Sequence, residues 1–295
     1  MRRVAAHTQR SGGVLGISGT TRVVGIVGQP VSHSLSPVLL NAAFAACGLD
    51  MTYVALPVAP DGLGDAVRGI CALGFVGANV TIPHKTAVLP FLAAVEGDAW
   101  FLAAVNTIVV EAGQARGFNT DVEGFRRALR AVDSGSLAGA SALLLGAGGA
   151  ARAVALVLAR EVARLTVANR TLAAAEELVV RIDRFGAGGP HRALALDGLA
   201  AENVRAADII VNATSLGMAG EGKVPAVLVD NVRQEHSVYD VVYAGQPTEF
   251  VALARERGAR AIDGLSMLVW QAAAAFELWT GVAAPVDVMR SAIGR

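Results

Sequence analysis

Apolar and polar residues follow one another in a strand, turn and helix order from Val23 onward. The segment VVGIVG predicts a buried strand, QPVSHSLSP predicts a turn, and VLLNAAFAACGL predicts a helix because its apolar residues recur at helical spacing. A second unit follows, with a strand at MTYVALPV, a helix at DGLGDAVRGICALG and a short strand at GANVTI that stops at Pro83. The first third of the chain is therefore predicted to be α/β.

A hairpin is predicted next. AVNTIVVE and QARGFNTD read as two strands that are joined through Ala112 and Gly113. The segment VEGFRRALRAV then predicts a helix, and the small residues of DSGSLAGA predict a hinge.

The second half of the chain opens with ALLLGAGGAARAVALVLAR, which predicts an apolar strand, a glycine turn and a helix. Short apolar strands recur at RLTVANR, DIIVNATS, VYDVVY and ARAIDG, a pattern that is typical of a parallel doubly wound sheet. SMLVWQAAAAFELWTG predicts a last long helix with no strand after it. We expect this helix to pack back on the first domain.

Chain length supports two domains, since one hydrophobic core usually gives way to two near 295 residues. The pattern predicts a flexible extension at residues 1–21 and a first domain at 22–124, completed by 264–295. A Rossmann-type domain is predicted at 125–263. A transit peptide is the alternative interpretation of the first segment.

Composition narrows the classes of function. Lys plus Arg and Asp plus Glu are balanced at 25 each, so the chain lacks the basic surplus that nucleic-acid binding requires. Apolar runs are broken before the roughly 20 residues of a membrane span, and no secretory signal is recognisable. Cys47 and Cys71 have neither Cys-x-x-Cys spacing nor a nearby histidine cluster, which favours a reducing cytoplasm and no metal site.

Three glycines, Gly146, Gly148 and Gly149, stand where a strand passes into a helix. Missing side chains there let backbone N–H groups approach a pyrophosphate at the positive helix end. At the end of the next strand, where an acidic residue would bind the ribose of NAD, the chain has Asn169, Arg170 and Thr171. A guanidinium binds a 2′-phosphate, so the pattern favours NADP. The alternatives are a ligand-free turn and a solvated Arg170.

Polar residues in the first domain fall at strand ends or on the loops after them, the edge where open α/β sheets bind ligands. They are Ser34, Ser36, Asn79, Thr81, Lys85, Asn106 and Asp121. Hydroxyls and amides suit a polyhydroxylated substrate, because each buried hydroxyl needs a partner. Lys85 can give a proton to a carbonyl oxygen as hydride arrives, and Asp121 is the candidate carboxylate that orients it.

Each of these residues also has a purely structural interpretation. Ser36 precedes a proline and suits a helix N-cap, Asp121 suits a cap of the following helix, and Lys85 suits solvent. His33 and His84 flank the same loops, but without a third ligand we favour hydrogen-bonding or surface roles over metal binding.

The order of these motifs resembles that of shikimate dehydrogenases, from about Val23 to about Gly281. The matching segments are GQPVSHSLSP, ANVTIPHK, AVNT, FNTD, LLLGAGGAAR, ANRT, NATSLGM, YDVVY and DGLSMLVWQAA. The resemblance implies an N-terminal substrate domain, completed by the C-terminal helices, and a Rossmann-type NADP domain with a cleft between them.

The resemblance also implies residue roles. Lys85 would be the acid/base and would form a catalytic pair with Asp121. Shikimate would contact Ser34, Ser36, Asn79, Thr81, Asn106, Asp121, Tyr243 and Gln271. NADP would contact Gly146, Ala147, Gly148, Gly149, Ala150, the segment from Asn169 to Ala174 with Arg170 and Thr171, Val241 and the neighbourhood of Ser266.

Three positions depart from the family pattern. Ala174 stands where a second basic residue is often found, so one phosphate contact is lost. Ser266 replaces a glycine of the usual DGLGM, and Ala103 replaces the glycine that often precedes AVNT. None of the three removes a catalytic group.

We therefore expect a cytoplasmic enzyme, a monomer or homodimer, that interconverts 3-dehydroshikimate and shikimate with NADPH and NADP in aromatic amino-acid biosynthesis. A paralogue acting on quinate or aminoshikimate is the first alternative; retention of Ser36 and Arg170 argues against it. A non-catalytic regulator that binds shikimate or a dinucleotide is the second, and the presence of Lys85 and Asp121 argues against that. A folate-pathway methylene dehydrogenase is disfavoured by the Ser-x-Ser and FNTD segments.

Overall fold

A computed structural model describes residues 16–132, 135, 137–184, 189–218, 222–243 and 246–294. Within them the chain forms two six-stranded sheets flanked by helices, which confirms the α/β class. None of the helices described is both long enough and apolar enough to cross a membrane. The proposed extension lies outside the described residues up to position 15. Residues 16–21 are seen, and there the hydroxyls of Thr20 and Thr21 each donate to Asp50 at 2.7 Å.

The first sheet has the order β2-β1-β3-β5-β6-β4. Its strands are β1 (Arg22–Gly28), β2 (Met51–Pro57), β3 (Gly77–Val80), β4 (Ala94–Val95), β5 (Thr107–Glu111) and β6 (Gln114–Phe118). β1 pairs in parallel with β2 and β3, whereas β5 runs antiparallel to both β3 and β6. The parallel strands β1 and β3 therefore end at one edge, where polar loops follow them.

The second sheet is parallel throughout and has the order β12-β11-β10-β7-β8-β9. Its strands are β7 (Ser141–Leu145), β8 (Arg164–Asn169), β9 (Arg192–Ala195), β10 (Ile209–Asn212), β11 (Ser237–Asp240) and β12 (Arg260–Ile262). The strand order reverses between β7 and β10, and ligands bind at such a switch point in doubly wound sheets. The predicted doubly wound sheet is confirmed.

Helices connect the strands and supply the outer layers. Those that accompany the first sheet are α1 (Ser36–Ala46), α2 (Leu63–Ala72), α3 (His84–Ala87), α4 (Gly97–Leu102) and α5 (Asp121–Val132). The second sheet carries α6 (Gly149–Glu161), α7 (Leu172–Asp183), α8 (Ala201–Arg205), α9 (Ala226–Asn231) and α10 (Glu249–Glu256), and the chain ends with α11 (Leu265–Thr280) and α12 (Val286–Ala292).

The C-terminal helix α11 returns to the first sheet, as expected. Its buried residues join the core that β1 and α1 form. Phe276 stacks on Phe44 with ring centroids 5.4 Å apart, and the Trp279 indole N–H donates to the carbonyl of Ile108 in β5 at 2.9 Å. An interior indole needs such an acceptor, so this bond fixes the end of α11 against the sheet.

The predicted hairpin is also confirmed. β5 and β6 are joined by Ala112 and Gly113, whose φ angles are +50° and +76°. Two consecutive left-handed residues are the requirement of the tight turn that matches strand twist, and glycine satisfies it without a steric penalty.

Helix α5 is continuous from Asp121 to Val132. The predicted domain boundary between residues 124 and 125 falls inside it, because the helical pattern runs on through Gly124. A side chain there is excluded, since a Cβ on Gly124 would lie 2.8 Å from the Cβ of Gln271. Helix α5 therefore packs tightly on α11, and it also contacts α6.

Candidate active site at the facing edges of two sheets

Lys85 and Asp121 form a largely buried ion pair. Lys85 lies in α3, directly after β3, and its Nζ donates to Asp121 Oδ2 at 2.6 Å. The side chains are 15% and 6% exposed. The local backbone fixes both residues: the Lys85 carbonyl accepts from the amide of Val105 at 2.8 Å, and the Asp121 amide donates to Asn119 Oδ1 at 3.1 Å. The lysine is therefore held by its carboxylate and is not a solvated surface residue.

Asn106 is the centre of the polar cluster. It is 2% exposed, and its Nδ2 donates to Asp121 Oδ1 at 2.8 Å, to Thr120 Oγ1 at 3.0 Å and, weakly, to Gln271 Oε1 at 3.5 Å. Its Oδ1 accepts from the Thr120 amide at 2.7 Å. Both oxygens of Asp121 thus accept from side-chain donors, a use different from capping α5.

A second amide extends the cluster toward α1. Asn79 at the end of β3 donates to Thr107 Oγ1 at 3.0 Å and accepts from the phenol of Tyr53 at 2.7 Å. Burial raises the pKa of Tyr53 well above its usual value, and a hydrogen bond with the Ser36 hydroxyl acts in the opposite direction. Ser36 is the first residue of α1, whose N-cap is Leu35 without a side-chain cap bond. The predicted alternative of an N-cap serine is therefore wrong, because the helix starts at Ser36 itself.

The remaining predicted substrate residues are Ser34, Thr81 and Tyr243. Ser34 Oγ accepts from the Ser36 amide at 3.2 Å. Thr81 follows β3, where its amide donates to the Val27 carbonyl at 2.9 Å. Tyr243 lies after β11, and burial raises the pKa of its phenol. Ser34 and Thr81 thus lie on the loops after β1 and β3 of the first sheet, whereas Tyr243 lies after β11 of the second sheet.

Three residues of the cluster are absent from the sequence-based set. Tyr53, Thr107 and Thr120 bond directly to Asn79 or Asn106. Thr120 adjoins Asp121 within FNTD, and Tyr53 occupies a buried position of an alternating strand, so their positions carried a signal. That signal was weak, because buried tyrosine and threonine are usual in strands.

The glycine loop after β7 turns tightly and carries no side chain at the N-cap of α6. Gly146 has φ +109°, and a Cβ on it would lie 2.9 Å from the Ala213 carbonyl. Gly148 is the N-cap of α6, has no side-chain cap bond and has no atom within 4 Å of a Cβ position. Ala147 and Ala150 flank these glycines and are half-buried. The amides of the first turn of α6 therefore stay available to an anion, at the positive end of a helix.

The end of β8 carries the predicted phosphate-binding residues. Asn169 Nδ2 donates to the Thr171 carbonyl at 2.9 Å, which closes the turn into α7. Arg170 and Thr171 are exposed, and within the described part of the chain Arg170 has no ion-pair partner. Ala174 is half-buried in the first turn of α7. An exposed arginine at this strand end is available to a phosphate.

A buried carboxylate, Asp240, links the ends of β10 and β11 through hydrogen bonds. Asp240 at the end of β11 is fully buried and accepts from Asn212 Nδ2 at 2.9 Å and from the Thr248 hydroxyl at 2.7 Å. Desolvation raises its pKa to about 6. Val241 follows it, bonded through its amide to the Asn212 carbonyl at 2.8 Å. Gly264 packs against the Val241 carbonyl and leads to Ser266, the second residue of α11.

Metal binding receives no support from the two histidines near the site. The buried ring of His84 lies with Nε2 2.7 Å from the Val58 carbonyl, and His33 is exposed. Among the described residues no group of three or more His, Cys, Asp or Glu side chains could hold a metal ion.

Comparison with known proteins gives consistent matches. The model of the shikimate dehydrogenase substrate binding domain matches residues 26–108, that of shikimate / quinate 5-dehydrogenase matches 127–235, and that of the shikimate 5'-dehydrogenase C-terminal domain matches 264–293. The NADP(+) shikimate dehydrogenase of Methanopyrus kandleri is 46% identical over 280 residues, covering 94% of this chain and 96% of that protein.

Solved structures agree with these matches. A shikimate dehydrogenase crystallised with NADP+ superposes with a TM-score of 0.85 and is 39% identical, with 94% of this chain and 96% of that chain covered. A quinate dehydrogenase from Corynebacterium glutamicum, in complex with NAD, has a TM-score of 0.84 at 34% identity, with coverage of 92% and 98%.

Proposed function

The chain belongs to the shikimate dehydrogenase family, and we propose that it interconverts 3-dehydroshikimate and shikimate with NADPH and NADP. The observation that supports this most directly is the Lys85–Asp121 ion pair beside the glycine loop. The first sheet with α11 and α12 forms the substrate domain of this proposal, and the second sheet forms the cofactor domain. The proposed location is the cytoplasm, and the proposed assembly is a monomer or homodimer.

The residues at the second sheet fit NADP. Gly148 leaves the start of α6 open to a pyrophosphate, and Arg170 offers an exposed guanidinium to a 2′-phosphate. Ala147, Gly149, Ala150, Asn169 and Thr171 line the same strand ends, with Val241 and Ser266 on the other side of the switch point. NADPH, when bound, supplies the hydride.

Lys85 performs the proton transfer in this proposal. Its ammonium donates a proton to the carbonyl oxygen of 3-dehydroshikimate as that oxygen gains negative charge, and the neutral amine takes the proton back in the oxidative direction. Asp121 holds the ammonium at 2.6 Å and is itself held by Asn106 at 2.8 Å. Two fixed contacts leave the carboxylate little freedom, so the ammonium is oriented before the substrate arrives.

The hydroxyls and carboxylate of the substrate bind the remaining polar side chains. Ser34 and Ser36 at the start of α1 receive the carboxylate. Asn79, Thr81, Asn106, Tyr243 and Gln271 receive the ring hydroxyls. This set of hydroxyls and amides favours a polyhydroxylated ring, because each substrate hydroxyl that is removed from water needs a hydrogen-bond partner.

A panel assay of the purified chain tests the proposal. Shikimate, quinate and aminoshikimate are each offered with NADP and with NAD, and reduced cofactor is followed at its absorbance band. We expect the highest kcat/KM for shikimate with NADP. Binding of shikimate by calorimetry without turnover on any substrate would contradict the enzymatic role and favour a regulator.

A quinate-active enzyme is the second candidate, because one matching family model covers both shikimate and quinate enzymes. Quinate carries an additional tertiary hydroxyl, which needs space or a partner near the Ser34 and Ser36 hydroxyls. A higher kcat/KM for quinate with NAD in the same panel would favour this candidate.

A further inference from the structure

Gly149 is a glycine that the dinucleotide fingerprint does not require. The fingerprint places small residues at the first, third and sixth positions of the strand-to-helix turn. Gly146, Gly148 and the fully buried Ala151 occupy these positions. Gly149 is the fourth residue, where the fingerprint accepts a side chain. Its φ lies outside the left-handed region, so backbone conformation does not demand glycine either.

The neighbour that a side chain at Gly149 would crowd is the lysine of the candidate active site. A Cβ on Gly149 would lie 3.1 Å from Lys85 Cδ and 3.3 Å from Lys85 Cβ. These are the nearest atoms, and both belong to the aliphatic stem of Lys85. The adjacent Gly148 has no atom within 4 Å of its Cβ position. The stem therefore lies across the first residue of α6, while its ammonium bonds to Asp121 at 2.6 Å.

We propose that Gly149 is a positioning residue for Lys85. Its bare Cα gives the lysine stem a surface on the cofactor loop, and this contact sets the distance between the proton-transfer group and the bound cofactor. An alanine would push the stem away by a few tenths of an ångström. Because the ammonium is already held by Asp121, that shift rotates the amine within the pair. The consequence for turnover rests on the proposed function, whereas the contact itself does not.

Kinetics of Gly149→Ala provide the first measurement, with Gly148→Ala as the matched control. For Gly149→Ala we expect kcat to fall about three- to thirtyfold, since a misplacement of about 1 Å costs on the order of a hundredfold. The KM for NADP should change less than threefold, because the amides of the loop are kept. Gly148→Ala places its methyl group in open space at the cap and should mainly raise the KM for NADP. The thermal midpoint of Gly149→Ala should not fall, because alanine favours a helix more than glycine does.

The second measurement observes Lys85 without turnover. Lys85 and Lys223 are the only lysines of the sequence, so protein labelled with 13C at lysine Cε gives two lysine NMR signals. Lys223→Arg leaves only the Lys85 signal and assigns it. In the ligand-free protein we expect Gly149→Ala to shift the Lys85 signal and leave that of Lys223 in place. Gly148→Ala should shift neither.

The two measurements separate the possible explanations. A shifted Lys85 signal together with reduced kcat supports the proposal. An unchanged Lys85 signal overturns it, whatever the kinetics, since any loss of rate then comes from the cofactor. A shifted signal with native kcat also overturns it, because the contact then has no role in positioning. A wild-type chain that is inactive across the substrate panel contradicts the proposed function, and the NMR signal still decides whether Gly149 holds Lys85.

Discussion

Removing either member of the Lys85–Asp121 pair should damage both turnover and stability, because each leaves the other buried without its main partner. Lys85→Met keeps the stem and removes the charge. We expect turnover to fall by roughly 10² to 10⁴, the usual range for a positioned general acid, with far smaller changes in shikimate and NADP affinity. Asp121 then stays buried with Asn106 as its one remaining side-chain donor in the described cluster.

Asp121→Asn disturbs the pair in a different way. Both carboxylate oxygens accept from donors, Lys85 Nζ at 2.6 Å and Asn106 Nδ2 at 2.8 Å. An asparagine has one acceptor oxygen, so one of these contacts becomes donor against donor. Breaking a buried pair on one side costs about 3 to 5 kcal/mol in the free energy of unfolding. The double variant has no buried charge left in the pair. Its loss of stability should therefore be well below the sum of the two single losses, and its loss of turnover should be below the product of the two single factors.

The exposed pair Lys223–Glu249 is a matched control within the same chain. Its atoms are 2.8 Å apart, but the side chains are 77% and 58% exposed. The cycle of Lys223→Met and Glu249→Gln should give a coupling energy of about 0 to 1 kcal/mol and leave turnover unchanged. Urea unfolding and steady-state kinetics on all variants measure both cycles. If the stability losses at Lys85 and Asp121 were fully additive and the rate losses fully multiplicative, the two residues would not act as one unit. Near-native turnover of Lys85→Met would show that Lys85 does not transfer the proton.

Four further predictions concern the cofactor, the substrate and the fold. Arg170→Ala should weaken NADP affinity roughly ten- to a hundredfold, a loss of about 1.5 to 3 kcal/mol, with NAD little affected; calorimetry with both cofactors tests this, and equal losses would contradict it. Ser36→Ala should raise the KM for shikimate more than it lowers kcat, because a hydroxyl that binds the carboxylate serves ground and transition states alike; normal shikimate binding in calorimetry would exclude this role. Ala103 caps α4 with φ +46°, so Ala103→Gly should stabilise the fold by about 1 kcal/mol and raise the thermal midpoint by about 2 °C, whereas the exposed helical Ala173→Gly should lower it. Desolvation, aided by Asp263, raises the pKa of Asp240 from 3.8 to about 6, so the folded state favours the neutral carboxyl. This contribution to the free energy of unfolding, up to about 3 kcal/mol, is present below about pH 4 and is lost as pH rises to about 6. Urea unfolding between about pH 4 and 6 measures the free energy of unfolding, and Asp240→Asn should remove this part of its pH dependence.

The sequence predicted the fold well where local pattern and tertiary packing agree. The parallel second sheet follows from apolar strands at regular spacing, and the hairpin at Ala112 and Gly113 follows from strand alternation on both sides. The hydrophobic pattern predicts no helix or strand between Pro83 and Ala103, although this segment forms α3, β4 and α4. Each of these three elements has six residues or fewer, too short for hydrophobic periodicity to show.

Residue types and their order in the sequence predict which side chains form the candidate site. They do not predict the hydrogen bonds that connect these side chains. The motifs contain Asn79 and Asn106 but do not indicate that Tyr53, Thr107 and Thr120 complete the network. Such bonds depend on which strand pairs with which: Asn79 lies opposite Thr107 because β3 pairs antiparallel to β5. This register is a property of the whole sheet, so no local segment encodes it.

The distance between the two sheets depends on contacts whose two partners never lie in the same motif. Arg152 of α6 and Arg181 of α7 donate to the carbonyls of Leu102 and Phe101 at 2.9 and 3.1 Å, and Arg160 pairs with Asp98 at 2.9 Å. These carbonyls belong to the end of α4, where helical acceptors lack intrahelical partners and attract cations. The chain runs from this anchored helix end into Asn106 within four residues. The helices that follow the glycine loop therefore hold the segment between α4 and β5 that carries Asn106, and through Asn106 the carboxylate of Asp121. Arginines of this kind look like surface charges in the sequence, because their acceptors are backbone atoms of a distant segment.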